Sequence, residues 1–550
     1  MNRIHARRGA LAGAPLALLL LVATAPAAGA APDAAPAPAA PATTPDLTWA
    51  GCATSEEGTA AGVECATAAL PMDYDEPDGE QVQIAVARVP AAVPAERIGS
   101  LFFNFGGPGA ASVDYLQAAG AGFLADLNQR FDLIGFDPRG TGQSSPAIDC
   151  KADQETLGIY STPVPTPLDI DVDAYVAKAQ AYVDSCLANN GPILEHVSTA
   201  NVARDMDAIR GALGEEQLDY LGFSYGTFLG ATYASLFPDG YRSMVLDGPV
   251  DAAGYVNDPL SGIAEQTAGF EVAFARFTEA CAVDQVACSG FGGTDPYGAF
   301  DKLVAAAEAT PIPAPGHTPD PRPVGGDEIR SATIGLLYAK PAWGLLGSAL
   351  AEAAAGDAST IRAIVDESNG DVEDGSAASL DRYFTIGASE QQYPQGDLEL
   401  YLDRGSESWA SFPHFWSNSG YAEISYALWP ARDEDAFLGP FTIDPSAPTP
   451  LVIATTYDPA TPYPGALRLV QQLGNARLLT MDGDGHTAYG GNSACIDAAT
   501  EAYLIARTLP ADGTVCTQEV PFTAPEAVST GAAGSLTAVG GLVGTVAGRR

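Results

Sequence analysis

Residues 218–237 read LDYLGFSYGTFLGATYASLF. The first six are an apolar run of the kind that forms a buried strand, and 227–237 suits a helix. Between them stand Gly222, Ser224 and Gly226. Gly-x-Ser-x-Gly at a strand-to-helix junction predicts a strained turn that lifts the serine hydroxyl clear of the sheet. A serine in that position also sits beside free backbone N–H groups and the positive end of the helix dipole. Three small residues are a weak signal in a chain with 59 glycines. The strand before and the helix after give the motif its weight.

A serine hydroxyl is a poor nucleophile near neutral pH, so it needs a base and a carboxylate to orient that base. The chain has five histidines. His5 lies in an N-terminal leader, His196 precedes the serine, His317 falls in a Pro-rich stretch and His414 sits among aromatics. His486, in Asp482-Gly483-Asp484-Gly485-His486-Thr487, follows an apolar strand and comes last in the chain. For the acid, 68 carboxylates make composition useless. Asp458, in Tyr457-Asp458-Pro459-Ala460-Thr461-Pro462, follows the apolar run 450–455 and is the first candidate. Asp247, behind the run 242–246, is its rival, and Asp482 and Asp484 are weaker ones. Gly106-Gly107-Pro108-Gly109 follows another strand-like run. It reads either as a tight turn or as a loop giving the Gly107 N–H to an oxyanion hole, with Tyr225 giving the second donor. A phosphate loop lacks its Gly-Lys-Ser/Thr, and the acidic stretch before His486 does not fit an EF-hand.

Outward from this constellation, the runs 100–105, 131–136, 218–223, 242–246, 450–455 and 476–481 look like buried parallel strands. The stretch 201–213 between them has helical spacing. A hairpin precedes them at about 65–89, turning at Asp75-Glu76-Pro77-Asp78-Gly79. This alternation predicts an α/β, mostly parallel, doubly wound sheet. The rhythm breaks over 251–444, where the helical runs 263–281, 299–309, 343–355 and 359–366 flank a Pro-rich loop at 311–323. The expected layout is a leader (1–30), an Ala/Pro-rich linker (31–48), a core in two parts (49–250 and 445–520), a mainly helical cap inserted at 251–444, and a low-complexity tail (521–550). Within the cap, residues 383–429 hold eleven aromatics, which suit either the insert's own core or a pocket over the active site.

The 550 residues are 47% hydrophobic and 17% charged, with 26 Lys+Arg against 68 Asp+Glu, a net charge of −42. Such a field repels phosphate backbones and anionic bilayers, which excludes nucleic acid and argues against a membrane partner held by basic patches. Arg3, Arg7 and Arg8, an apolar run and Ala28-Gly29-Ala30 read as a secretory signal peptide. Behind such a leader, eight cysteines favour disulfides over zinc. The sequence-local pairs are Cys52 with Cys65, Cys150 with Cys186, Cys281 with Cys288, and Cys495 with Cys516. No metal or cofactor motif is evident. The uncharged tail 528–548 is a marginal membrane anchor, since its length suits a span but its glycines do not.

The motifs together resemble those of secreted actinobacterial tripeptidyl aminopeptidases, α/β-hydrolases related to prolyl aminopeptidases. They are GGPG after one strand, Asp137-Pro138-Arg139-Gly140-Thr141-Gly142-Gln143-Ser144 after the next, then Gly-Phe-Ser-Tyr-Gly-Thr, a long insertion, Asp-Pro-Ala-Thr-Pro and Gly-His. The resemblance spans about residues 49–518 and implies the α/β-hydrolase fold. It also implies Ser224 as nucleophile, Asp458 as orienting acid, His486 as base, and Gly107 and Tyr225 as oxyanion donors. Phe105 stands where prolyl aminopeptidases have His, so prolyl specificity is not expected. The implied activity is a secreted exopeptidase acting on peptides with a free N-terminus. Glu265 and Glu271, on the first cap helix, are candidates for binding the amine. A secreted esterase, or a cell-envelope scaffold without catalysis, are the competing readings.

Overall fold

The computed structural model describes residues 44–52, 59–318, 321–372 and 375–522. The signal peptide, most of the linker and the tail beyond Phe522 lie outside them. The strand-like runs become β1 (Ala50–Gly51), β2 (Glu64–Pro71), β3 (Gln81–Val89), β4 (Gly99–Asn104), β5 (Phe131–Phe136), β6 (Leu218–Phe223), β7 (Tyr241–Asp247), β8 (Leu451–Tyr457), β9 (Arg477–Asp484) and β10 (Val515–Thr517). They form one sheet in the order β1-β2-β3-β5-β4-β6-β7-β8-β9-β10. The hairpin β2–β3 is antiparallel and β3 runs antiparallel to β5, while β5 through β10 pair in parallel. Chain order reverses at β4, which lies between β5 and β6. A reversal of this kind opens a crevice at the strands' carboxyl ends, and both GGPG and Ser224 lie there.

The central strands are buried on both faces because successive residues enter opposite layers. Leu101 and Phe103 pack with Leu133, Leu221 and Val245 on one side. Phe102 packs with Ile134, Tyr220 and Met244 on the other. The second layer includes Val202, Met206 and Ile209 of the helix Thr199–Ala212, which is the stretch read at helical spacing.

Between β7 and β8, the described residues contain helices and loops, with one isolated bridge pairing Ile312 with Val324. The helices Pro259–Val283, Pro296–Ala309, Gly326–Leu337, Trp343–Ala354 and Ser359–Asn369 enclose a separate apolar centre built on Phe270, Phe274, Phe277, Phe300, Trp343 and Phe415. The helix Ala378–Glu390 behaves differently. Its Phe384 and Ile386 join the sheet's own layer, so this part of the insert packs as if it belonged to the hydrolase core.

The cysteines pair with their sequence neighbours. Disulfides join Cys52 to Cys65, Cys150 to Cys186, Cys281 to Cys288, and Cys495 to Cys516. The first ties the strand β2 to the segment just after β1, and the last ties the helix Ala494–Ala506 to β10. No described cysteine is free. Among the described residues, no helix is long and apolar enough to cross a membrane.

Candidate active site

Ser224 has φ 56° and ψ −125°, a backbone state that L-residues adopt at a cost of roughly 1–3 kcal/mol and that clusters at functional sites. The two glycines of the motif are there for space. A Cβ on Gly222 would lie 2.4 Å from Gly226 O, and one on Gly226 would lie 2.6 Å from Asn104 O. Tyr225 opens the helix Tyr225–Leu236, so its N–H has no carbonyl one turn back to bond. Gly106, at φ 98°, lies against the same turn. A Cβ there would meet Phe223 O at 2.6 Å and Tyr225 N at 2.9 Å. Gly107, Ser224 and Tyr225 line one cavity of about 630 Å³.

Asp458 and His486 meet at the ends of β8 and β9. Both Asp458 oxygens lie 2.9 Å from His486 Nδ1, and both side chains are buried. The Asp-Pro-Ala-Thr sequence folds back on its own first residue. Oδ1 accepts from Ala460 N and Thr461 N at 2.9 Å, and Oδ2 accepts from Thr461 Oγ1 at 3.1 Å and Thr487 N at 3.3 Å. The carboxylate therefore holds one orientation, and His486 Nδ1 donates to it. His486 Nε2 is buried and has no hydrogen-bond partner among the described residues. The main-chain N–H of His486 donates to Tyr338 O of the cap at 2.7 Å. Thr461 also stands 3.3 Å from Nδ1, a role that its place in the Asp-Pro-Ala-Thr-Pro motif does not reveal.

The rival carboxylates have other partners. Asp247 accepts from Ala488 N and Tyr489 N, beyond His486, and burial raises its pKa to about 7. Asp484 receives Arg276 Nε and, at 2.8 Å, Lys340 Nζ, both from the cap. Burial alone would raise its pKa, but those two cations outweigh it and hold the carboxyl below its ordinary value. Among the other histidines, His317 pairs with Asp366 at 2.8 Å, and His414 is buried in the cap centre against Phe274.

The two glutamates proposed from the first cap helix part company. Glu265 lines the cavity and pairs with Arg468, which also binds Asp251. Glu271 does not line it. Its carboxylate accepts from His414 N at 2.8 Å, Phe415 N at 3.0 Å and His414 Nδ1 at 2.6 Å. Helix periodicity explains the difference, because positions six apart point in different directions. The aromatic stretch 383–429 also divides. Tyr383, Tyr393 and Tyr426 pack on the sheet's layer and also line the cavity, whereas Phe384 and Trp429 belong to that layer alone. Phe105 belongs to a ring cluster with Phe223, Tyr115 and Phe123.

Three described groups converge as metal ligands would, Cys150, Cys186 and Asp381. The two sulfurs are joined in a disulfide, and Asp381 accepts from Cys150 N, Gln154 and Tyr182.

Sequence comparisons identify the family. The model of the α/β-hydrolase fold matches residues 100–280, and that of the TAP-like protein family matches 414–516. Serine protease Hip1 of Mycobacterium tuberculosis is 34% identical over 468 residues, covering 83% of this chain and 87% of the relative. Carboxylesterase B of the same species is 34% identical over 532 residues, covering 93% and 99%. The tripeptidyl aminopeptidase of Streptomyces coelicolor is 30% identical over 476 residues, covering 82% and 83%. This chain is therefore a serine hydrolase of the peptidase type and belongs to the tripeptidyl aminopeptidase-like branch of the α/β-hydrolases.

Proposed function

We propose that the enzyme is exported and releases short peptides, above all tripeptides, from the free N-termini of its substrates. Ser224 Oγ attacks the scissile carbonyl while His486 Nε2 takes its proton, and Asp458 keeps the imidazole proton on Nδ1. The Gly107 and Tyr225 N–H groups receive the developing oxyanion. His486 then protonates the departing amine, and water releases the acyl group from Ser224 by the same steps.

One observation carries the aminopeptidase reading. Asp251, Arg468 and Glu265 form a cluster lining the cavity that contains Ser224, with two carboxylates sharing one guanidinium. The cluster keeps a net charge of −1, which a substrate ammonium would neutralise. The cavity volume, about 630 Å³, is in the range that suits a small ligand. An extended tripeptide, about 10 Å long, is of that class. Four disulfides support an oxidising compartment outside the cytoplasm.

The same machinery accepts esters, and the carboxylesterase relative keeps that second reading in play. The test is a substrate panel of tripeptide and single-residue amides, N-free and N-acetylated, alongside short-chain esters. Preferential cleavage of N-free tripeptide amides is expected. Equal rates on acetylated and free peptides would remove the aminopeptidase reading, and unchanged activity in Ser224→Ala would remove the mechanism. Detection of the chain in the cytosol with free thiols would remove the export reading.

A further inference from the structure

Asp247 is an unusual residue for the middle of a sheet. It ends β7 and is fully buried, and among the described residues its carboxylate makes no ion pair with a cation. Desolvating such a group is costly unless something specific is gained. Both of its oxygens accept from Ala488 N at 3.0 Å, and Oδ2 also accepts from Tyr489 N at 2.8 Å. Its main-chain carbonyl accepts from Ser224 N at 2.9 Å. The next residue, Gly248, is at φ 67°. A Cβ on it would stand 3.1 Å from His486 Cε1 and 2.9 Å from Thr487 Cγ2. Two consecutive residues thus touch the nucleophile's turn, the histidine ring and the segment behind that ring.

We propose that Asp247 is a positioning residue for the serine–histidine pair, fixing the loop behind His486 with its carboxylate and the turn at Ser224 with its carbonyl. The inference rests on the reading of Ser224 and His486 as the reacting groups. The Ala488 N–H lies 3.0 Å from each oxygen, so both must accept there; an Asn amide would keep its oxygen on Tyr489 N but turn an NH₂ toward the Ala488 N–H. Loss of this hold falls on the register of the loop, not on the fold. Tyr489 is held separately by its ring against Phe123, which packs in turn on Phe223.

The charged groups that face Asp247 are His486, which lowers its pKa, and Asp458, which raises it. Burial outweighs both and leaves the value at about 7. Protonation converts one acceptor oxygen into a donor, so the hold weakens as pH falls through that range.

Three measurements test the proposal: the rate of Ser224 labelling by an alkyl fluorophosphonate, kcat and KM on an N-free tripeptide p-nitroanilide, and the acid limb of the pH profile. In Asp247→Asn, labelling and kcat should fall together by roughly 30- to 100-fold, the penalty of a small misplacement, with KM changed less than about threefold. The acid limb should lose a contribution near pH 7 in Asp247→Asn. Labelling and kcat of Asp247→Asn within about threefold of wild type would overturn the proposal. If Asp247→Asn does not fold, Asp247→Glu, which keeps a carboxylate but displaces it from the Ala488 and Tyr489 N–H groups, should show the same joint fall, and labelling and kcat at the wild-type level in it would overturn the proposal. Failure of the wild-type enzyme to label at Ser224 would instead refute the reading of the reacting pair.

Discussion

Replacing Asp458 with Asn tests the triad with little change of shape. The outcome can be worked from its partners. Oδ1 accepts from two main-chain N–H groups, Ala460 and Thr461, both at 2.9 Å, so in Asp458→Asn the amide oxygen takes that place. The NH₂ then falls where Oδ2 was, facing His486 Nδ1 and the Thr487 N–H. His486 Nδ1, 2.9 Å from both positions, then meets a donor as well as an acceptor, and accepting from the NH₂ puts its proton on Nε2, the nitrogen that has to take the proton from Ser224. A change of tautomer of this kind lowers kcat by about 10³–10⁴ in serine proteases, which is about 4–5.5 kcal/mol of barrier. The unpaired Thr487 N–H adds a loss of stability of about 1–3 kcal/mol. KM should move little, because Asp458 does not line the cavity. The assay is kcat and KM on an N-free tripeptide p-nitroanilide at pH 8, with Tm measured alongside. A kcat within tenfold of wild type would refute the reasoning and point to another carboxylate as the orienting acid.

In Glu265→Gln, KM for N-free tripeptide amides should rise roughly tenfold with esters unaffected, as loss of one charge-assisted contact implies, and an equal effect on both substrates would count against an amine site there. Gly106→Ala should leave little or no activity because its methyl would strike Phe223 O and Tyr225 N, and wild-type turnover would contradict the close approach of that loop to the turn. Burial raises the pKa of Asp137 and Asp247 from 3.8, and of Glu390 from 4.5, to about 7. A raised folded-state pKa gives stability that is fully present below the unfolded value and is lost as pH rises through 7. The loss is on the order of a few kcal/mol per group, so Tm by calorimetry should be higher at pH 5 than at pH 8, and a higher Tm at pH 8 would contradict it.

The sheet was legible in the sequence because strands buried on both faces are written as uninterrupted apolar runs, and 100–105, 131–136 and 218–223 each became a strand. The cap was harder. The helices Gly326–Leu337 and Leu398–Ser411 went unread because each hides its apolar stripe among acidic and small residues. Ser224 and His486 stood out through glycine-flanked turns, and Asp458 through its place behind a strand. Asp247 and Asp484 were noticed only as rivals to Asp458, since sequence position cannot tell which backbone a carboxylate faces. Glu271 failed as a cavity residue for a related reason. Its helix was read correctly, but the direction of one side chain depends on what packs against it, and here His414 comes from more than a hundred residues away. The division of the aromatics 383–429 between core and cavity had no sequence signal at all.

The net charge of −42 takes on a structural meaning once the cations are located. With 26 Lys and Arg against 68 carboxylates, each cation could have found a partner anywhere, yet several lie on the seam between insert and core. Arg362 and Arg322 of the cap reach Glu155 of the core, Arg204 reaches Asp435, Arg468 holds Glu265 and Asp251, and Arg276 and Lys340 converge on Asp484. Most of these pairs are partly or wholly buried, while those of Arg322 with Glu155 and of Arg468 with Glu265 are exposed and add little stability singly. The pair on Asp484 sits two residues before His486, and the same cap segment accepts the His486 N–H through Tyr338 O. The base is therefore gripped from below by Asp247 of the sheet and from above by the insert. The cap thus both lines the cavity and contacts the segment that carries the base.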